Sequence, residues 1–145
     1  MRDLPRQLTT DELAELFEGR TRLVELLAER DDPLGTADAA IAELDEAERL
    51  EALNAHPAIG SRDLSERSAE EQGKDADPVI LTELAYLNQV YEEKFGFRFV
   101  VFVNQRSKAE ILEVLRDRLE RSREEELETA LEELVAIARD RWQRG

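Results

Sequence analysis

The stretch Asp77-Pro-Val-Ile-Leu-Thr-Glu-Leu-Ala-Tyr-Leu-Asn-Gln-Val-Tyr-Glu-Glu-Lys-Phe-Gly96 carries the clearest helix pattern in the chain. Its apolar side chains recur at intervals of three and four residues, which places them on one face of an α-helix. Asp77 is a good N-cap, Pro78 is tolerated in the first helical turn, and Gly96 is a typical helix-ending residue. The stretch therefore predicts a long helix that buries one face in a core.

Helix patterns extend in both directions from this stretch. Capping residues, several of them followed by an acidic residue three positions later, predict the helix starts. These residues are Thr9, Thr21, Thr36, Asp45, Ser65 or Ser68, Asp77, Ser107 and Ser122. No internal repeat or linker is evident, and 145 residues suit one domain. We therefore expect an all-α fold, a compact single-domain bundle of about eight helices that spans residues 1–145.

The segment Phe97–Val103 departs from this helical pattern, because its aromatic and β-branched residues favour extended backbone. No second strand is evident in the sequence, and a lone strand cannot satisfy its own backbone hydrogen bonds. The segment is predicted to be either extended and buried or the start of the next helix.

The composition excludes several classes of function. A net charge of −15 repels a phosphate backbone, so nucleic acid is not an expected partner. The acidic surface is typical of solvated helix faces, and it also fits a salt-rich cytoplasm. With no cysteine and one histidine, the chain offers no disulfide, thiolate zinc site or multi-histidine metal site.

No targeting or membrane signal is visible in the sequence. The longest apolar run, Val100–Val103, is far shorter than the roughly 18 residues that a membrane span needs. The first residues lack the apolar region of a secretory signal. We expect a soluble, cytoplasmic protein.

Two residues stand out as candidates for chemistry before any family is considered. His56 precedes Pro57, which favours extended backbone at a fixed corner, and an imidazole shuttles protons near neutral pH. Arg141 falls inside the apolar stripe of the last helix, seven residues after Leu134. Each has a structural alternative: His56 as a hydrogen-bonded buried residue, and Arg141 as a frayed end or a side chain that reaches water.

The segment Ser68-Ala-Glu-Glu-Gln72 also allows two interpretations. Ser-x-x-Glu is a capping box, in which Glu71 would do no more than bond its own helix start. In the functional interpretation, Glu71 and Gln72 bind a polar ligand beside His56.

Taken together, these motifs resemble one family. They are Asn54-Ala-His-Pro-Ala-Ile-Gly60, Ser68-x-x-Glu-Gln72, Leu87-Asn-x-x-Tyr-x-x-Lys-Phe-Gly-Phe-x-Phe-Val100 and Ala130-x-x-Glu-x-x-x-Ile-x-x-x-Arg141. In this order they are similar to 2-oxo-4-hydroxy-4-carboxy-5-ureidoimidazoline decarboxylase, from about Leu8 to Trp142. The resemblance implies an all-α homodimer that acts on a small ureide after urate oxidation and hydroxyisourate hydrolysis. The expected product is (S)-allantoin, and no metal or organic cofactor is implied.

The resemblance also assigns residues to roles by motif position. It implies catalysis by His56, Glu71 and Arg141. The residues implied to line the substrate pocket are Pro57, Ser68, Glu71, Gln72 and the backbone of Phe99, Val100, Val101, Phe102 and Val103. The alternative is a non-catalytic helical binding module of the same fold, which would need no proton shuttle.

Overall fold

The computed structural model describes residues 7–57 and 77–144, and within these ranges every regular element is a helix. The seven helices are α1 (Thr10–Phe17), α2 (Arg22–Ala28), α3 (Ala37–Glu43), α4 (Glu46–Asn54), α5 (Pro78–Phe95), α6 (Lys108–Arg118) and α7 (Arg123–Arg144). The predicted all-α class is therefore confirmed over the described residues. The helix expected after Ser65 or Ser68 would be the eighth, and it lies outside those residues.

Local capping explains where most of the helices begin. The Thr9 side chain accepts from the backbone N–H of Glu12, and the Glu12 carboxylate accepts from the backbone N–H of Thr9. The same reciprocal pair opens α4 at Asp45 and α6 at Ser107. These bonds satisfy backbone donors that a helix start leaves without partners, so the sequence alone located these starts correctly.

Thr36 precedes α3 but does not cap it as predicted. Its side chain makes no capping bond. The Thr36 hydroxyl instead donates to the carbonyl of Asp32 at 2.6 Å and accepts from Nε of Arg30 at 3.0 Å. The hydroxyl therefore stabilises the loop before α3.

The chain divides into two compact units. One contains Met1–His56 with Leu131–Gly145, and the other contains Pro57–Ala130. In the first unit, α2 packs against α1, α3 and α4, and in the second α5 packs against α6. None of the described helices is long and apolar enough to cross a membrane. A single domain over residues 1–145 stays a prediction.

Each unit has its own set of buried apolar side chains. In the first unit these include Leu13, Leu16, Phe17, Leu23, Leu27, Leu34, Leu53, Leu134 and Ala138. In the second they include Leu84, Tyr91, Phe95, Phe97, Phe99, Ile111 and Leu115. Phe97–Val103 forms no strand with any described residue, and the next helix starts only at Lys108. The segment is therefore not the start of the next helix, and most of it is buried as the first alternative predicts.

Candidate functional site

His56 occupies the corner that follows α4. The helix ends at Asn54, and the backbone N–H of His56 donates to the carbonyl of Leu53 at 3.2 Å, which closes the last turn. The His56 side chain is buried, and Pro57 after it is half-buried. His56 therefore lies outside the helix, as predicted, and its burial also agrees with the structural alternative.

Arg141 is buried near the end of α7, with only 1% of its surface exposed. Its Nη1 lies 2.9 Å from Oε1 of Glu18 and donates to the carbonyl of Leu16 at 3.1 Å. A buried guanidinium needs such acceptors, because an isolated charge in a core is costly. The apolar-stripe prediction is confirmed, and the alternative of a frayed or water-reaching side chain is wrong.

Glu18 binds Arg141, and the sequence did not mark it as a candidate. It follows the last residue of α1 and adopts the left-handed conformation, with φ 66° and ψ 21°. Sequence reasoning would place that conformation on the adjacent Gly19, since glycine adopts it without steric cost. The only signal in the sequence is an acidic residue directly before Gly19, since glycine typically ends a helix.

Gly19 has a different role, which is close packing. A Cβ atom built on Gly19 would lie 3.3 Å from Cβ of Ala55, the residue directly before His56. The Glu18–Gly19 turn therefore contacts Arg141 through its first residue and the neighbour of His56 through its second.

The segment predicted to line the substrate pocket lies in the other unit. The residues Phe99, Val100, Val101 and Val103 are buried, and Phe102 is half-buried. Their carbonyls accept from arginine side chains: Arg118 Nη1 reaches Val100 at 2.9 Å, and Arg106 reaches Val103 at 3.1 Å and Phe102 at 2.5 Å. Guanidinium groups thus satisfy carbonyls that a partner strand would otherwise bind.

Arg118, which donates to the carbonyl of Val100, belongs to a buried network of polar side chains. Arg118 Nε donates to Oε1 of Glu126 at 2.7 Å, and the Tyr91 hydroxyl donates to the same oxygen at 2.6 Å. The Arg118 guanidinium also lies 4.6 Å from the centre of the Phe99 ring. Burial, with the Glu126 carboxylate as the second cause, raises the pKa of Tyr91 well above its ordinary value.

Glu126 corrects the interpretation of the acidic run around it. The charge run Arg121–Glu128 predicts a solvated helix face, yet Glu126 is completely buried. It lies four residues before Ala130, so extending the apolar stripe of α7 by one turn would have identified it.

Three of the predicted site residues, Ser68, Glu71 and Gln72, lie outside the described residues. Their roles in catalysis and substrate binding stay predictions. Across residues 7–57 and 77–144, no three His, Asp or Glu side chains cluster as metal ligands.

Comparison with known proteins identifies the family. Residues 2–143 match the model described as OHCU decarboxylase, where OHCU abbreviates the ureidoimidazoline substrate named above. The decarboxylase of that name from Halalkalicoccus jeotgali is 40% identical over 95 residues, which cover 62% of this chain and 54% of the relative. A uric acid degradation bifunctional protein from a Bacillus species is 36% identical over 101 residues, covering 66% of this chain and 20% of that protein.

The matched region thus spans about half of the first relative and a fifth of the second. A solved structure, an OHCU decarboxylase in the presence of (S)-allantoin, superimposes with a TM-score of 0.76 at 29% identity. The superposition covers 90% of this chain and 94% of the chain in that structure. Since the family model covers nearly every residue, the chain belongs to the OHCU decarboxylase family.

Proposed function

We propose that this chain decarboxylates 2-oxo-4-hydroxy-4-carboxy-5-ureidoimidazoline to (S)-allantoin in urate catabolism, without a metal or organic cofactor. Family membership supports the reaction class. The observation that carries the proposal is the Glu18–Gly19 turn. Glu18 pairs with Arg141, and Gly19 packs closely against Ala55, the residue directly before His56. A buried cation and a buried imidazole in the same unit suit an anionic substrate that must be protonated.

The reaction needs no external electron acceptor. The bond between the ring carbon and its carboxylate breaks, CO₂ leaves, and the electron pair moves toward the adjacent C=N of the substrate, whose nitrogen takes a proton. Loss of the hydroxyl proton and protonation of the neighbouring carbon on one face complete (S)-allantoin. The protein must therefore orient the acid, deliver a proton to one face and exclude water.

Each proposed catalytic residue suits one of these tasks. The Arg141 guanidinium is rigid, always charged and able to bind an anionic group through two parallel donors. His56 moves the proton, since its ordinary pKa lies near neutrality. Glu71 accepts from the ureido N–H groups.

The pocket would be completed by residues that the family resemblance assigns. These are Pro57, Ser68, Gln72 and the backbone of Phe99–Val103. We further propose a homodimer of single-domain subunits that works in the cytoplasm.

The test is stereochemical, because the substrate decays spontaneously to racemic allantoin. Substrate is generated in situ from urate, and the circular dichroism of the product is followed with and without the chain. Optically active (S)-allantoin is expected in metal-free buffer. Racemic product at saturating protein would refute the decarboxylase and favour a non-catalytic binding module.

A further inference from the structure

The conformation of Glu18 is the starting point. The left-handed region is sterically disfavoured for residues with a Cβ atom, and glycine adopts it freely. Gly19 is the next residue, yet the chain turns on Glu18, at φ 66°. The backbone N–H groups of Glu18 and Gly19 both donate to the carbonyl of Ala14, which closes the helix end. A contact of the Glu18 side chain explains why the left-handed residue is Glu18 and not the glycine beside it.

The side chain of Glu18 makes that contact with Arg141. The carboxylate is only 12% exposed, and its Oε1 lies 2.9 Å from Nη1 of Arg141, where the pair is shielded from water. The carbonyl of Leu16 accepts from the same nitrogen at 3.1 Å. A guanidinium has five N–H donors in a rigid plane, so two acceptors on Nη1 fix its position and orientation.

We propose that Glu18 is a positioning residue for Arg141. Its carboxylate holds the guanidinium in the orientation that grips the anionic substrate, and it neutralises the buried cation before the substrate arrives. This inference rests on the proposed function, because it takes Arg141 as the group that touches the substrate. Glu18 itself acts only through Arg141.

Two substitutions separate the carboxylate from the backbone. Glu18→Gly fits the left-handed conformation and removes the side chain, so any loss is due to the missing carboxylate. Glu18→Gln keeps an oxygen that accepts from Nη1 but removes the charge. Glu15→Gln, on the exposed side of α1, is the matched control.

The first measurement is a melting cycle, which needs no activity. Glu18→Gly removes a carboxylate that lies 2.9 Å from a buried cation, so the melting temperature should fall by about 5–10 °C. Adding Arg141→Met should restore several of those degrees, because the buried charge that lost the Glu18 carboxylate is then gone. Glu18→Gly also relieves backbone strain. This effect on the melting temperature is the same in the wild-type and the Arg141→Met chain, so it cancels when the two are compared. If Arg141→Met restores nothing, the pair does not form and the proposal is overturned.

The second measurement is turnover well below each melting temperature. Glu18→Gly should lower kcat/KM about 100-fold, the usual scale for a misplaced binding group, whereas Glu18→Gln should stay within about tenfold of wild type. A merely structural carboxylate would lower the melting temperature and leave kcat/KM of the folded protein unchanged. Glu18→Gly within threefold of wild type would overturn the positioning role.

The two possible failures can be told apart. If the wild-type chain gives racemic allantoin, the proposed function itself fails. If the wild type gives (S)-allantoin and Arg141→Met is inactive, a fully active Glu18→Gly variant overturns only the role of Glu18.

Discussion

Replacing Tyr91 by phenylalanine removes one hydroxyl from the buried network and little else. The ring is completely buried and packs against Phe95, Phe97 and Phe99 at centroid distances of 4.6, 5.9 and 5.2 Å. Phenylalanine preserves these contacts. The change therefore isolates the 2.6 Å hydrogen bond from the Tyr91 hydroxyl to Glu126.

The expected cost follows from the charge on the acceptor. A hydrogen bond to a charged group contributes about 1.5–3 kcal/mol to stability. Arg118 still binds the same carboxylate oxygen at 2.7 Å, so Glu126 keeps a partner and the cost falls near the middle of that range. We expect a loss of about 2 kcal/mol, which lowers the melting temperature of a chain of this size by roughly 4–8 °C.

The other tyrosine of the chain provides the control. Tyr86 lies on the same helix and is 64% exposed. Tyr86→Phe should change stability by less than about 0.5 kcal/mol. Both variants are measured by thermal and urea unfolding at neutral pH. Equal shifts in the two variants would refute the buried hydroxyl–carboxylate bond.

The raised pKa of Tyr91 adds a pH signature. Above about pH 10 the unfolded chain loses the Tyr91 proton while the folded chain keeps it, so wild-type stability falls as pH rises. The slope from this one group reaches at most about 1.4 kcal/mol per pH unit. Tyr91→Phe lacks the group, so the stability gap between wild type and variant should narrow above pH 10. A constant gap up to pH 11.5 would contradict this reasoning.

Three further predictions concern the proposed catalytic residues. His56→Asn should lower turnover by roughly 10²-fold or more, the scale of lost acid–base catalysis, with little change in melting; near-normal turnover would make His56 structural. Arg141→Lys should lose most activity in the circular dichroism assay, because the compact ammonium group of lysine cannot replace the two parallel donors of a planar guanidinium. Arg144→Met, at a half-exposed side chain, is its control, and greater damage there would reject Arg141. Glu71→Ala should abolish turnover while stability changes by less than the 0.5–2 kcal/mol of a lost cap; the reverse pattern would make Glu71 a capping residue.

Arg139, by contrast, is unsuitable as a control. Helical phase places it at or beyond the edge of the apolar stripe of α7. The structure shows that its Nε donates to the carbonyl of Leu34 at 2.8 Å, a partly buried bond. An Arg139 variant would therefore lose a tertiary contact of its own.

The helices and their starts could be predicted from the sequence because their causes are local. The box at Thr9 and Glu12 uses atoms within four consecutive residues, and Gly96 ends α5 with the left-handed φ of 81° expected of a glycine. The burial of Arg141 could also be predicted from the sequence, because the helical period fixes the angular position of each residue on a helix. His56 at its corner follows from the proline after it.

Tertiary structure alone decided which partners these residues meet. Glu18 and Arg141 are more than 100 positions apart in the sequence, and nothing local marks Glu18 as the residue that turns left-handed. The same holds for Phe97–Val103, whose β propensity could not show that Arg118, 18 positions after Val100, binds the Val100 carbonyl. Propensity and capping depend on neighbouring atoms and can be read along the chain. The partner of a buried charge depends on which distant acceptor the packed helices bring within about 3 Å, and only the folded chain determines that.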